Sequence, residues 1–337
     1  MNATIPMPGS RNISIDVGRF ICAFLVVALH TRFPIPQLNA YLSDVGKIAV
    51  PFFLLVSGFY LYDVDASITL NKTRGGARKI GYILVQSAIA YGILRFIKSH
   101  YFNIDISSQD FNLLPFLLFN DTNFTEHLWY LFAYFYVLII IGCAGKFARV
   151  DWLLYSIPIL FTIHFTFTTW SRFVPMMSGK VWYELNWLVL ALPFVVAGMV
   201  VRKNISSISR IGTKGLLTTT FLLFVLVFLE HYAFKQFAGR GPGVFAISFL
   251  AITAFIYCAR NGVILGPKLD GKFGAWGREH ALNIYIYHIF VRESLSLANV
   301  GLWANNTICI FVLSFALSIA IIQIKSRIMT NTVEEIN

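Results

Sequence analysis

Apolar runs long enough to cross a bilayer recur from one end of this chain to the other, and they leave few architectures open. About 20 consecutive apolar residues in helical form cover the roughly 30 Å hydrocarbon core. The runs are continuous and do not alternate at period two, which favours helices over a β-barrel. Of the 337 residues, 57% are hydrophobic and 13% charged; a soluble domain carries about twice that charged fraction. The chain therefore reads as an all-α, polytopic membrane protein of ten helices. They fall near residues 15–31, 46–62, 80–98, 127–145, 152–168, 184–201, 215–233, 243–259, 279–298 and 303–324. The first 14 residues are polar and show no signal-peptide cleavage pattern. They read as a short cytoplasmic segment, residues 15–324 as one transmembrane domain, and residues 325–337 as a cytoplasmic tail. Gly75-Gly76, Gly241-Pro242-Gly243 and Gly266-Pro267 mark turns between spans. No internal repeat is visible.

A formal net charge of +11 would point to nucleic acid in a soluble protein. Here the cations cluster between spans, in segments 63–79, 146–151, 202–214 and 260–278. That pattern is the positive-inside bias, and it places both termini and these segments in the cytoplasm. The intervening segment 99–126 is acidic (Asp105, Asp110, Asp121, Glu126), with an apolar patch from Leu113 to Phe119 that reads as re-entrant or interfacial. Cys22, Cys143, Cys258 and Cys309 all fall in spans at no metal-like spacing. They read as packing residues, with neither a metal site nor a disulfide framework.

The apolar run of the first span carries Arg19 and closes on His30. Arg19 and His30 are eleven positions apart, about three turns, so they share a helix face roughly 16 Å apart along the axis. An ionisable residue within a span is costly and faces the bundle interior, where it marks a site. One such residue toward each end suits a site reached from one side of a membrane and working toward the other. Asp16, one turn before Arg19, is placed to pair with it.

The residues from Asp16 onward resemble the acyltransferase 3 family of integral-membrane O-acyltransferases. Asp16-Val17-Gly18-Arg19 is similar to that family's Asp-x-x-Arg opening of the first helix, and Arg19 to His30 gives its Arg-x10-His spacing. Val50-Pro51-Phe52-Phe53-Leu54-Leu55-Val56-Ser57-Gly58-Phe59 is similar to its Phe-Phe-x-x-Ser-Gly-Phe segment. His127-Leu128-Trp129-Tyr130-Leu131 is similar to its His-Leu-Trp-Phe/Tyr-Leu motif, and Asn283 to His288 matches a weaker one near the end. Two departures stand out. The Arg-x-x-Arg motif after the second helix is here Arg74-Gly75-Gly76-Ala77-Arg78-Lys79. The Trp-Ser-Leu-x-x-Glu pattern of members with an extra extracytoplasmic domain is absent. The chain thus looks like the smaller members that acetylate lipid-linked saccharides or exopolysaccharides in the bacterial inner membrane.

The resemblance implies transfer of an acetyl group from cytoplasmic acetyl-CoA to a saccharide hydroxyl, without metal. His30 suits a general base near neutral pH, or a transient acyl carrier; the plainer reading is an interfacial histidine. Arg19 suits bidentate contact with an anionic donor, or snorkelling to lipid phosphate. Arg74, Arg78 and Lys79 suit the phosphates of coenzyme A, or reflect positive-inside bias alone. Glu126, His127, Trp129, His288 and Arg292 suit an outward cavity for a saccharide, or ion pairing and an aromatic belt. Ser57 lacks a nucleophile-elbow setting and reads as a helix-packing or cavity residue. His164, Glu230 and His231 read as interfacial anchors. From another class, a transporter or flippase of an anionic or lipid-linked substrate would also need intramembrane Arg and His.

Overall fold

The computed structural model describes residues 12–102, 116, 126–147, 150–173, 184–237, 244–260 and 264–336; their regular elements are helices joined by short turns, with one isolated bridge between Arg32 and Asn306. Each expected span coincides with helix. In chain order, α1 is Ile13–His30, α2 Pro36–Gly46, α3 Ala49–Leu61, α4 Ala66–Phe102 and α5 Trp129–Lys146. Next come α6 Val150–Tyr155, α7 Ile157–Thr168, α8 Leu192–Lys203 and the single turn α9 Ile205–Ile208. The chain closes with α10 Thr213–Phe237, α11 Phe245–Arg260, α12 Pro267–Leu297 and α13 Thr307–Ile336. By length and composition, six helical stretches can cross a membrane: Ile13–His30, Pro36–Leu61, Ala66–Phe102, Trp129–Lys146, Thr213–Gln236 and Thr307–Ile328.

Helices α1, α3, α8 and α12 form the centre, where Leu54, Leu55, Phe194, Met199 and Ile284 are fully buried. Helix α10 is apolar yet exposes Leu217, Phe221, Leu222 and Leu229, as a helix does when lipid is its solvent. Two close approaches set the frame. A Cβ on Gly58 would stand 1.9 Å from the Val195 carbonyl oxygen, and one on Gly198 would stand 2.1 Å from that of Leu55. Helices α3 and α8 therefore cross backbone to backbone. A Cβ on Gly277 would likewise meet the Asp16 carbonyl oxygen at 1.9 Å, so α12 lies directly against the start of α1. Small residues permit this contact where apolar burial gives little drive between helices.

Local chemistry explains the ends. The Asn12 side chain caps α1 by accepting from the Ile15 N–H, while its amide donates to the Ala259 carbonyl at 2.8 Å. Gly266, at φ +104°, turns the chain into Pro267 at the first turn of α12; only glycine adopts that conformation cheaply. Between residues 187 and 191 the backbone forms a π turn, opened by Asn186 accepting from the Leu188 and Val189 N–H groups.

Two expectations about the segments between spans, and one about a cysteine within a span, are corrected. Residues 66–79 are not a loop: α4 begins at Ala66 and carries Gly75-Gly76 within it. Gly76 sits against Leu138 of α5, and Gly142 and Gly145 of α5 face Thr73 and Leu70 of α4, so these glycines serve packing. Helix α12 begins twelve residues before the expected span, because Lys268, Lys272 and Arg278 occupy helix rather than loop. Cys143 is exposed on α5, whereas Cys22 and Cys258 are buried; all four thiols are free. The Leu113–Phe119 patch, apart from Phe116, and Gly241–Gly243 lie outside the described residues.

Candidate active site

Helix α1 places Arg19 and His30 against two different cavities. The first, about 320 Å³, is bordered by Arg19, Ser57, Lys72, Gly76, Tyr60, Tyr130, Tyr134 and Tyr285. Asp16 is buried, and its Oδ1 holds the Arg19 Nη1 at 3.1 Å. The pairing fixes one edge of the guanidinium and leaves the side chain one-fifth exposed beside the cavity. Ser57 donates to the Phe53 carbonyl at 2.9 Å, as a packing serine in an apolar helix does. It borders the cavity one residue before the glycine of the α3–α8 crossing.

The basic cluster on α4 is divided. Arg74, Arg78 and Lys79 are exposed and do not border this cavity, whereas Lys72 does. The Lys72 Nζ lies 3.0 Å from the Asp63 Oδ2. That hydrogen bond, with others from the backbone, holds the Asp63 carboxyl below the usual carboxylate range.

The second cavity, about 330 Å³, lies at the other end of α1. Its polar border includes His30, Lys47, His127, Trp129, His164 and Glu184, and its apolar border Val26, Leu29, Val50 and Leu190. Three imidazoles converge there. The His30 and His288 ring centres are 5.2 Å apart, and those of His127 and His288 are 5.5 Å apart. His288 is fully buried. Its Nδ1 donates to the Tyr285 carbonyl at 2.7 Å, and its Nε2 has no hydrogen-bond partner. The carbonyl contact places the proton on Nδ1 and leaves Nε2 as a buried acceptor. No group of three His, Cys, Asp or Glu side chains among the described residues is arranged to hold a metal ion.

A hydroxyl network holds the cluster in place. The His127 Nε2 donates to the Ile286 carbonyl at 3.1 Å, and the Tyr91 hydroxyl donates to the same oxygen at 2.8 Å. The Phe290 N–H donates in turn to the Tyr91 hydroxyl at 3.0 Å. A phenol from α4 thus contacts the carbonyl of residue 286 and the N–H of residue 290, in the very turn of α12 that carries His288. The Tyr285 hydroxyl donates to the His127 carbonyl.

The expected residues fall into three groups. His30, His127 and Trp129 border one cavity, with His288 behind them; Arg19 and Ser57 border the other. Arg292 borders neither: its Nη1 donates to the His30 carbonyl at 2.9 Å, a cation set on the C-terminus of α1. Glu126 opens the short turn before α5, and its side chain lies outside the described residues.

Of the three residues read as interfacial anchors, His164 is corrected by its burial, and all three have defined partners. His164 is buried and bonds the Val189 carbonyl (2.8 Å) and Ser248 (2.9 Å), satisfying the π turn. Glu230 accepts from the Phe245 and Ala246 N–H groups and so caps α11. His231 pairs with buried Asp44 at 2.7 Å. Sequence reasoning also passed over Lys47, Lys72, Tyr91 and Tyr285. Only Tyr285 carried a signal, lying three positions before His288 and therefore on its face.

Comparison with known proteins separates a partial likeness from a full one. An amino-acid racemase of Enterococcus faecalis is 31% identical over 125 residues, 35% of this chain and 16% of the racemase. A second match to an amino-acid racemase of that organism is 28% identical over 185 residues, 52% of this chain and 24% of the racemase. The chain thus spans under a quarter of the length of these curated relatives. No solved structure matches. The full likeness is to a family: residues 12–327 match the family model of an acyltransferase domain, and the chain with Arg19 and His30 on one helix face belongs to the acyltransferase 3 family of membrane acyltransferases.

Proposed function

We propose that this protein moves an acetyl group from acetyl-CoA, bound at the Arg19 cavity from the cytoplasm, to a hydroxyl of a surface polysaccharide or lipid-linked saccharide at the His30 cavity. It would do so in a bacterial inner membrane. The observation that carries this reading is the pairing of the cavities. One end of α1 offers Asp16-held Arg19 and Lys72 to phosphate oxygens; the other offers an imidazole to a reacting hydroxyl. A guanidinium with one edge fixed retains N–H groups in the fork that phosphate prefers. Arg74, Arg78 and Lys79 would act as an outer collar that draws the donor in.

In the reaction, the acceptor oxygen attacks the thioester carbonyl carbon, the carbon–sulfur bond breaks, and the hydroxyl proton ends on the departing thiolate. His30 would take that proton first and return it, as a general base near neutral pH does. Alternatively, one ring nitrogen of His30 would carry the acetyl between donor and acceptor. His127, Trp129 and their polar neighbours Lys47 and Glu184 would hold the saccharide, with Glu126 a further contact beside His127. Among small single-domain relatives, the O-acetyltransferase of enterobacterial common antigen is the kind we envisage.

Two cavities at the two ends of one helix also fit a transporter or flippase, the second reading. Calorimetry of the detergent-solubilised protein with acetyl-CoA separates the two. We expect binding that weakens with salt, because the contacts are between charges. Folded protein with no affinity for acetyl-CoA would sink the enzyme. Glycans from cells with and without the gene, compared by mass, should differ by acetyl-sized increments.

A further inference from the structure

Tyr285 borders both cavities. It sits on α12, one turn before His288, and is 3% exposed. Its ring stands edge-on to that of Tyr130, with centres 5.2 Å apart, so the two phenols close the wall between the Arg19 and His30 sides. Its hydroxyl is tied to the His127 carbonyl, while its own carbonyl orients His288. One residue therefore fixes the cluster through its backbone and separates it from the other cavity through its side chain.

A thioester beside an imidazole base faces a competing reaction. Water can replace the acceptor: its oxygen attacks the carbonyl carbon, the carbon–sulfur bond breaks, and acetate, a proton and the free thiol result. Excluding water from the reacting groups prevents such loss. The wall formed by Tyr285 separates the donor side from the imidazoles, and a single hydroxyl-to-carbonyl bond latches it.

We propose that Tyr285 is a positioning residue that acts as a latched partition, admitting the acyl group to His30 only when it yields, and so favouring transfer over hydrolysis. This rests on the acyltransferase reading above. One lost hydrogen bond shifts a latch equilibrium by about fivefold. The test measures thiol release from acetyl-CoA by purified protein without any saccharide, alongside acetylation of cellular glycans by mass.

We expect Tyr285→Phe to raise acceptor-free thiol release about fivefold and Tyr285→Ala to raise it further, with glycan acetylation falling in both. Adding His30→Ala to either should abolish the excess release. A merely structural role would lower both activities together and leave their ratio unchanged. Tyr285→Phe preserves the ring and keeps the test open if Tyr285→Ala does not fold. Variants that fold and bind acetyl-CoA but release thiol no faster than wild type overturn the partition alone. Wild-type protein that neither binds nor turns over acetyl-CoA overturns the acyltransferase reading and the partition with it.

Discussion

The two ends of α1 solve opposite problems. At the Arg19 end the charges are partly open: the guanidinium is one-fifth exposed, Lys72 is more exposed still, and the surroundings are phenolic. At the other end His30 itself is exposed, whereas the imidazoles packed beside it are closed in, with His127 5% and His288 0% exposed, held by backbone carbonyls rather than counter-ions. An open cation exchanges an anionic ligand readily, whereas a buried neutral ring with a fixed tautomer is preorganised for proton or acyl chemistry. The contrast teaches that the two ends of one helix would suit different tasks, binding and chemistry, through the side chains packed around them rather than through the helix itself.

The sharpest way to break this division is His30→Ala. Loss of the base should lower transfer by about 10² to 10⁴-fold while acetyl-CoA binding stays near wild type. Wild-type glycan acetylation by that variant would remove the His30 end from the chemistry. Next comes Arg19→Lys, which keeps the charge but loses the bidentate fork; calorimetry should show affinity weakened by about tenfold or more. Lys72→Ala should weaken it more than Arg74→Ala with Arg78→Ala, because only Lys72 borders the cavity. The reverse ranking would move the donor onto the exposed face of α4.

A smaller effect is expected from Arg292→Ala. Its contact is with the His30 carbonyl, so transfer should fall by about five- to tenfold through loss of one charged hydrogen bond, with donor affinity unchanged. A change in affinity alone would place Arg292 on the wrong side of the comparison. The smallest effect concerns the Asp63–Lys72 pair. A carboxyl held below its ordinary range contributes stability at neutral pH that is lost as pH falls through the depressed value. For so exposed a pair the contribution is a few tenths of a kcal/mol. Asp63→Asn should lower the melting temperature slightly at pH 7, with the difference vanishing in acid below the carboxylate range.

The helices were legible because apolar runs of this length admit few alternatives, and Arg19 and His30 because charge inside such a run stands out. The helix through Gly75-Gly76 was not legible: two glycines read as a turn until the packing of α4 on α5 outweighs their poor propensity. The roles of Arg292, His164 and Glu230 were hidden for a related reason. Each bonds a main-chain group distant in sequence, and a main-chain partner leaves no mark on side-chain patterns. Lys72 lay within the noticed basic cluster, but helix phase, which needs the true start of α4, decides which cation meets the cavity.

The contacts made by Tyr91 have a consequence for stiffness. One phenol from α4 both donates to the Ile286 carbonyl and accepts from the Phe290 N–H, so the turn of α12 that carries His288 is tethered to a second helix. Helix α12 is also held to α1 at Gly277 and, through Arg292, at the His30 carbonyl. A residue outside both cavity borders thereby helps to fix the frame on which the imidazoles are mounted.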